Sequence, residues 1–349
     1  MLPIIVFSAA PGRFDVQLPG FDYLEPRNLD EALGMLGQHG AACAVLAGGT
    51  DLIVRMKQRL KTPRYLLSLK HLKELDYIGA DASRLRIGAA TPLGRIIDAE
   101  IIREQLPAFH TAVAAVGARS IQHVRGTLGG NLCQENRCRF YNQSAFFRSA
   151  RQACHKAGGT ICYARDGSDR CRSTCQSDGA PALMALAAEV TLRGVGSERT
   201  IPIQELYTAV GDAPLSLHHS ELLTEISIPL PGEARTGSAY RRLTFRSAID
   251  YPIVSAAAFV RLAGDHIDRA RIVVGAVGSG PLFLVTASNG LKGKKVTDEE
   301  ALAAAARMAG SSAGAFIVDN VNADMEYRTA MIPVLVSRAL QGALAAIGA

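Results

Sequence analysis

The segment 132–175 constrains this chain more than any other. Six of the seven cysteines fall in it, at Cys133, Cys138, Cys154, Cys162, Cys171 and Cys175, while Cys43 stands alone upstream. Arginines, aromatics, glycines and cysteines interleave there with a period of neither 2 nor 3.6, so the segment offers no apolar face around which to fold. Its order must come from something it binds. Residues 2–10 form an apolar run that lacks the basic start of a secretory signal. Outside a secretory context, crowded cysteines point to a metal more than to disulfides. No apolar stretch approaches the roughly 20 residues of a spanning helix. A cytoplasmic protein with no membrane partner is the expectation.

On either side of this segment the sequence is ordinary. With 349 residues, 48% of them hydrophobic and 20% charged, the chain can build several cores. The net charge of +6 is spread without a run of five basic residues, which argues against nucleic acid as a partner. Asn28 followed by Glu31 predicts a capped helix, 44–47, 65–69 and 85–89 read as short strands, and Thr91-Pro92 reads as a cap with proline at the first helical position. The alternation suggests small α/β units with mixed sheets. Pro229, Pro231 and Gly232 mark a boundary near 230. Beyond it, three apolar runs predict a sheet. Two long helices follow, one capped at Thr297 and one over about 325–344. The expected organisation is an extension at 1–20, a domain at 21–230 with the insertion 132–175, and an α+β domain at 231–349.

Two glycine turns flank this organisation. In Ala47-Gly48-Gly49-Thr50-Asp51-Leu52, which follows a strand, adjacent glycines let the backbone turn and expose successive N–H groups, as a pyrophosphate requires. A plain tight turn explains the motif equally well, and it is neither G-x-G-x-x-G nor a phosphate loop. The second turn, Gly126-Thr127-Leu128-Gly129-Gly130-Asn131, precedes the insertion, and Ser177-Asp178 follows it. By itself Asp178 reads as a helix cap.

In this order, and with a late Glu326-Tyr327-Arg328, these motifs resemble the flavoprotein subunits of molybdenum hydroxylases of the xanthine dehydrogenase and carbon monoxide dehydrogenase type, over roughly 21–345. The resemblance implies an α+β fold. A two-subdomain FAD-binding domain of the vanillyl-alcohol-oxidase (PCMH) type would be followed by a CO dehydrogenase flavoprotein C-terminal-like domain. It implies that Ala47, Gly48, Gly49, Thr50, Asp51 and Leu52 wrap the FAD pyrophosphate. Thr127, Gly129, Gly130 and Asn131 would meet phosphate and ribityl groups, and Ser177 and Asp178 the ribityl or ring side. Thr91 would lie in the loop after the matching strand, and Arg241 or Arg246 would approach the isoalloxazine. The implied partners are a large subunit with the molybdenum cofactor and substrate site, and a small one with two [2Fe–2S] clusters. Together they would form a dimer of heterotrimers.

Cys138, Cys154, Cys162 and Cys171 follow C-x15-C-x7-C-x8-C. Four thiolates can hold a tetrahedral zinc or a [4Fe–4S] cubane, and this spacing alone does not choose. The flanking text Asn131-Leu132-Cys133-Gln134 and Arg137-Cys138-Arg139-Phe140-Tyr141 resembles an insertion in the flavin subunits of the aromatic CoA-thioester reductases of this group. That implies one [4Fe–4S] cluster on these four residues, with Cys133 and Cys175 outside the set and a ferredoxin as electron donor. A hydroxylase of another aromatic or N-heterocyclic compound, a stand-alone flavin oxidase and a zinc-stabilised assembly protein are the other readings. His155 is surplus to four thiolates, and no Ser-His-Asp constellation stands out.

Overall fold

The computed structural model describes residues 18–348, so the extension read over 1–20 lies almost wholly outside the described residues. The first unit begins where Asn28 Oδ1 accepts the Glu31 N–H at 2.8 Å and Glu31 Oε2 accepts the Arg27 N–H at 2.8 Å. This reciprocal capping starts the Leu29–His39 helix, which buries Leu29, Ala32, Leu33 and Leu36 along one stripe. The stripe packs against Leu67 of a three-stranded sheet and Leu69 just beyond it. Its strands are β1 (Asp22–Leu24), β2 (Cys43–Leu46) and β3 (Tyr65–Ser68), in the order β1-β3-β2.

The second unit is a five-stranded sheet of β4 (Ile78–Ala80), β5 (Arg84–Gly88), β6 (Glu189–Gly194), β7 (Ser197–Pro202) and β8 (Leu222–Pro229), in the order β4-β5-β8-β6-β7. Val190 and Leu192 alternate inward along β6 and meet the buried faces of the Pro107–Ala114 and Gly179–Ala185 helices. Neither sheet is mixed. The first is wholly parallel and the second wholly antiparallel, because helical crossovers build one and hairpins or long returns build the other. Between β5 and β6 the chain makes a long excursion that carries the second glycine turn and the cysteine segment.

The third unit is an antiparallel meander of β9 (Thr236–Leu243), β10 (Val254–Ala263), β11 (His266–Gly275) and β12 (Leu282–Phe283). The Glu299–Gly314 and Met325–Ala345 helices cover one face. Along β10, Ala256, Ala258 and Val260 enter the core beneath those helices, while Ala257 enters the core of the second unit with Tyr240 and Val273. The two faces of one sheet therefore join the two halves of the chain.

Two caps differ from expectation. Thr91 does not start a helix, since its Oγ1 accepts the Tyr77 N–H at 3.1 Å and donates to Tyr77 O at 3.0 Å, and Pro92 takes the cap position of the Leu93–Asp98 helix. The Glu299–Gly314 helix is capped by Asp298, which accepts the Ala301 N–H at 2.9 Å, and not by Thr297.

Arg328 is fully buried at the start of the last helix, where its guanidinium donates to Val318 O at 3.0 Å, Ala276 O at 2.9 Å and Ile253 O at 3.3 Å. Burial pushes its pKa down to about 10, which leaves it charged at neutral pH. Arg328→Met should leave these carbonyls unpaired and cost about 3–5 kcal/mol, read as a lower guanidinium midpoint. Arg307→Met, which removes an exposed pair with Glu300, should leave the midpoint nearly unchanged.

Candidate functional site

The two glycine turns meet backbone to backbone. A Cβ placed on Gly48 would stand 1.8 Å from Arg125 O and 2.9 Å from Gly126 Cα, so no side chain fits there without displacing the second turn. Gly49 has φ +74°, and its carbonyl accepts the Ile53 N–H at 3.0 Å. The N–H groups of Gly48, Gly49, Thr50 and Asp51 have no acceptor among the described residues, and all four residues line a cavity. The second turn is laced onto the chain after β5, with the Gly129 N–H on Ala89 O at 2.8 Å, Leu128 N–H on Thr91 O at 3.1 Å and Leu93 N–H on Gly126 O at 2.9 Å. Thr127 Oγ1 accepts the Gly130 N–H at 3.1 Å and caps the Leu128–Leu132 helix.

Between the turns lies a cavity of about 510 Å³, of a size suited to an organic cofactor. Ala47, Gly48, Gly49, Thr50, Asp51, Leu52, Thr127, Gly129, Gly130, Asn131, Asp178 and Arg246 line it. Leu93, Leu217 and Leu223 add an apolar wall. Gln176 also lines it, and neither its Oε1 nor its Nε2 has a hydrogen-bond partner although the residue is 3% exposed. A buried amide left unpaired on both atoms fits a polar ligand that brings its own donors and acceptors.

Three of the candidate residues stand back from the cavity lining. Thr91 is committed to Tyr77, and Ser177 donates to Asn131 Oδ1 at 2.7 Å, bracing a lining residue instead of lining the cavity itself. Arg241 lies on the wrong face of β9. Side chains alternate along a strand, so Tyr240 and Arg242 turn to Asp178 while Arg241 turns to the last helix beside Gly342. Asp178 does not cap its helix. It accepts the Tyr240 hydroxyl at 2.6 Å and Arg242 Nη1 at 3.2 Å, and burial raises its pKa above the usual carboxylate range against the opposing pull of Arg242. Asp51 lines the cavity, but its carboxylate is paired with Arg137, lies 3.9 Å from Arg55 and accepts the Glu135 N–H at 3.4 Å. Gln176, Tyr240 and Arg242 went unread in the sequence. Gln176 adjoins Ser177-Asp178, and the β9 pair becomes legible only once the phase of that strand is known.

The six clustered cysteines divide. Cys138, Cys154, Cys162 and Cys171 line one small cavity of about 20 Å³, together with Tyr141, Lys156 and Ser173 among others. Cys133 lines the larger cavity, and Cys175 is buried with its N–H on Gly278 O at 2.9 Å. Among the described residues no three His, Cys, Asp or Glu side chains converge closely enough to hold a single metal ion. The segment is held by its backbone. Arg137 and Thr174 exchange hydrogen bonds of 2.8 and 2.7 Å, the Arg139 N–H reaches Asn320 O at 2.8 Å, and a Cβ on Gly159 would fall 1.7 Å from Ala153 O. Burial pushes the Cys138 thiol up to about 11, with Cys171 and Cys162 close enough to add to the effect.

The family model described as "FAD binding domain in molybdopterin dehydrogenase" matches residues 19–231. The chain belongs to this family. The model of the "CO dehydrogenase flavoprotein C-terminal domain" matches residues 238–343. The carbon monoxide dehydrogenase medium chain of Hydrogenophaga pseudoflava is 28% identical, over 94% of this chain and 98% of that one. The nicotinate dehydrogenase FAD-subunit of Eubacterium barkeri is 26% identical, over 80% of this chain and 82% of that one. A solved structure of the Hydrogenophaga pseudoflava carbon monoxide dehydrogenase superposes with TM-score 0.76 at 26% identity, covering 95% of this chain and 99% of that chain. The two-domain α+β architecture is thus that of a FAD-binding domain followed by a CO dehydrogenase flavoprotein C-terminal domain. As a member of this FAD-binding family the chain should lose flavin when Gly48 is replaced. Gly48→Ala should lower the flavin absorbance per chain at least tenfold, whereas Gly34→Ala, on an open helix surface, should retain it.

Proposed function

We propose that this chain is the electron-transfer subunit of a multi-subunit molybdenum-dependent oxidoreductase and carries both FAD and one [4Fe–4S] cluster. The sorting of the cysteines supports this reading: Cys138, Cys154, Cys162 and Cys171 share one cavity, and Cys133 and Cys175 lie outside it. Flavin exchanges two electrons and a cubane one, so a subunit holding both converts between the two kinds of carrier. In this reading the free N–H groups of residues 48–51 hold the FAD pyrophosphate, with Thr127, Gly129, Gly130 and Asn131 beside it. Gln176 orients the cofactor through its unpaired amide, and Asp178, steadied by Tyr240 and Arg242, faces the ribityl or ring end. Arg246 lines the same cavity and is the cation placed to approach the ring.

The substrate site belongs in this reading to a large partner with the molybdenum cofactor, and a small partner carries two [2Fe–2S] clusters, as a dimer of heterotrimers in the cytoplasm. The names of the relatives support a hydroxylase of an aromatic N-heterocycle, since they include a nicotinate dehydrogenase FAD-subunit and a caffeine dehydrogenase subunit beta. The cysteine insertion supports a second reading, the beta subunit of 4-hydroxybenzoyl-CoA reductase, which would take electrons from ferredoxin and remove the phenolic hydroxyl. Assay of the purified complex with each substrate class separates the two.

Cys138→Ser should abolish the cluster absorbance and lower iron and sulfide from about four each per chain, while FAD stays bound. Cys133→Ser and Cys175→Ser should retain iron and sulfide. Iron retained in the first variant and lost in either of the others would reject the ligand set, and zinc without sulfide in the wild type would reject the cluster.

A further inference from the structure

A line of charged side chains joins the first glycine turn to the cysteine cavity. Asp51 is paired with Arg137 and lies 3.9 Å from Arg55, Arg55 meets Glu135 at 3.0 Å, and Glu135 meets the Lys156 ammonium at 2.8 Å. Three cations against two anions leave one positive charge in excess. Lys156 ends the line in the wall of the cysteine cavity, with a side chain only 4% exposed. Arg172, in the same wall, is 27% exposed and bound to Ser168 Oγ, so solvent screens it more.

The ammonium is held at 2.8 Å from Asn136 O, 3.3 Å from Gly211 O and 3.3 Å from Ser173 Oγ. Ser173 Oγ in turn lies 3.4 Å from Cys171 Sγ. One hydroxyl therefore separates a buried positive charge from a sulfur. Gly211 permits this approach, because a Cβ there would fall 2.6 Å from Ser173 Oγ and 2.9 Å from Cys171 O.

We infer that Lys156 sets the reduction potential of the cluster held by Cys138, Cys154, Cys162 and Cys171, with Glu135 as its opposing charge. The inference rests on the cluster assignment proposed above. Reduction adds one electron to the cluster and removes one from the external one-electron donor. No bond forms or breaks, so the protein has only to stabilise one more negative charge. A desolvated ammonium one hydroxyl away does so, and the carboxylate beside it takes part of that stabilisation back.

The test is a redox titration of the purified holoprotein complex, following the cluster by electron paramagnetic resonance. Lys156→Met should shift the reduction equilibrium about tenfold against the reduced state, about 59 mV downward for a one-electron couple, and Glu135→Gln should shift it upward. Lys156→Arg, which keeps the charge, should return the midpoint toward wild type. Opposite signs in the two neutralising variants are what a purely structural brace would not produce. Unchanged midpoints, shifts of one sign, or loss of the cluster from both variants would overturn the inference. A wild-type complex with no cubane signal, and with iron and sulfide accounted for by the partner's two [2Fe–2S] clusters alone, would instead reject the cluster assignment, so the two failures are told apart.

Discussion

The contact of the Gly48 backbone with the carbonyl of Arg125 is what the cavity depends on. Two turns from different subdomains approach more closely there than any Cβ allows, and residues of both line one cavity because of it. The second turn is immobilised from behind by hydrogen bonds to Ala89 and Thr91, and Thr91 is itself pinned to Tyr77. A residue expected at the cavity thus supports it from one layer back. Such rigid backing is what lets backbone donors serve a ligand without reorganising when it binds.

The cysteine segment borrows its order from both neighbours. Arg137 ties it to Asp51 at the first turn, while the Arg139 N–H on Asn320 O and the pair of Arg139 with Asp319 tie it to the C-terminal domain. Its arginines are largely spent in this way or stacked on rings, as Arg151 is over Phe147 at 4.5 Å. The engagement of Asp51 with Arg137, Arg55 and Glu135 also makes it a structural link between the larger cavity and the cysteine cavity, beyond the cofactor contact expected of it.

Much of the fold was legible from local patterns. The Asn28 and Glu31 cap, the strand entering the glycine turn and the last long helix all follow from short-range chemistry, and each stands within a few residues of its expected place. The misses are of another kind. Thr91 carries the residue type of a cap but found a better partner in the Tyr77 backbone, and Thr297 lost its cap to the neighbouring Asp298. The sheets proved unmixed because pairing partners far apart in sequence decide strand direction.

By itself the sequence determined where side chains are forbidden and where thiols are concentrated, since a glycine pair after a strand and an aperiodic cysteine segment are local facts with local physical consequences. Only the tertiary structure decided which groups share a space. It set Cys138, Cys154, Cys162 and Cys171 around one cavity and left Cys133 at another, turned Arg242 and not Arg241 toward Asp178, and brought Lys156 to within one hydroxyl of Cys171. The reason is directional: a side chain's partners depend on strand phase and on the packing of elements a hundred residues apart, and no local pattern encodes either.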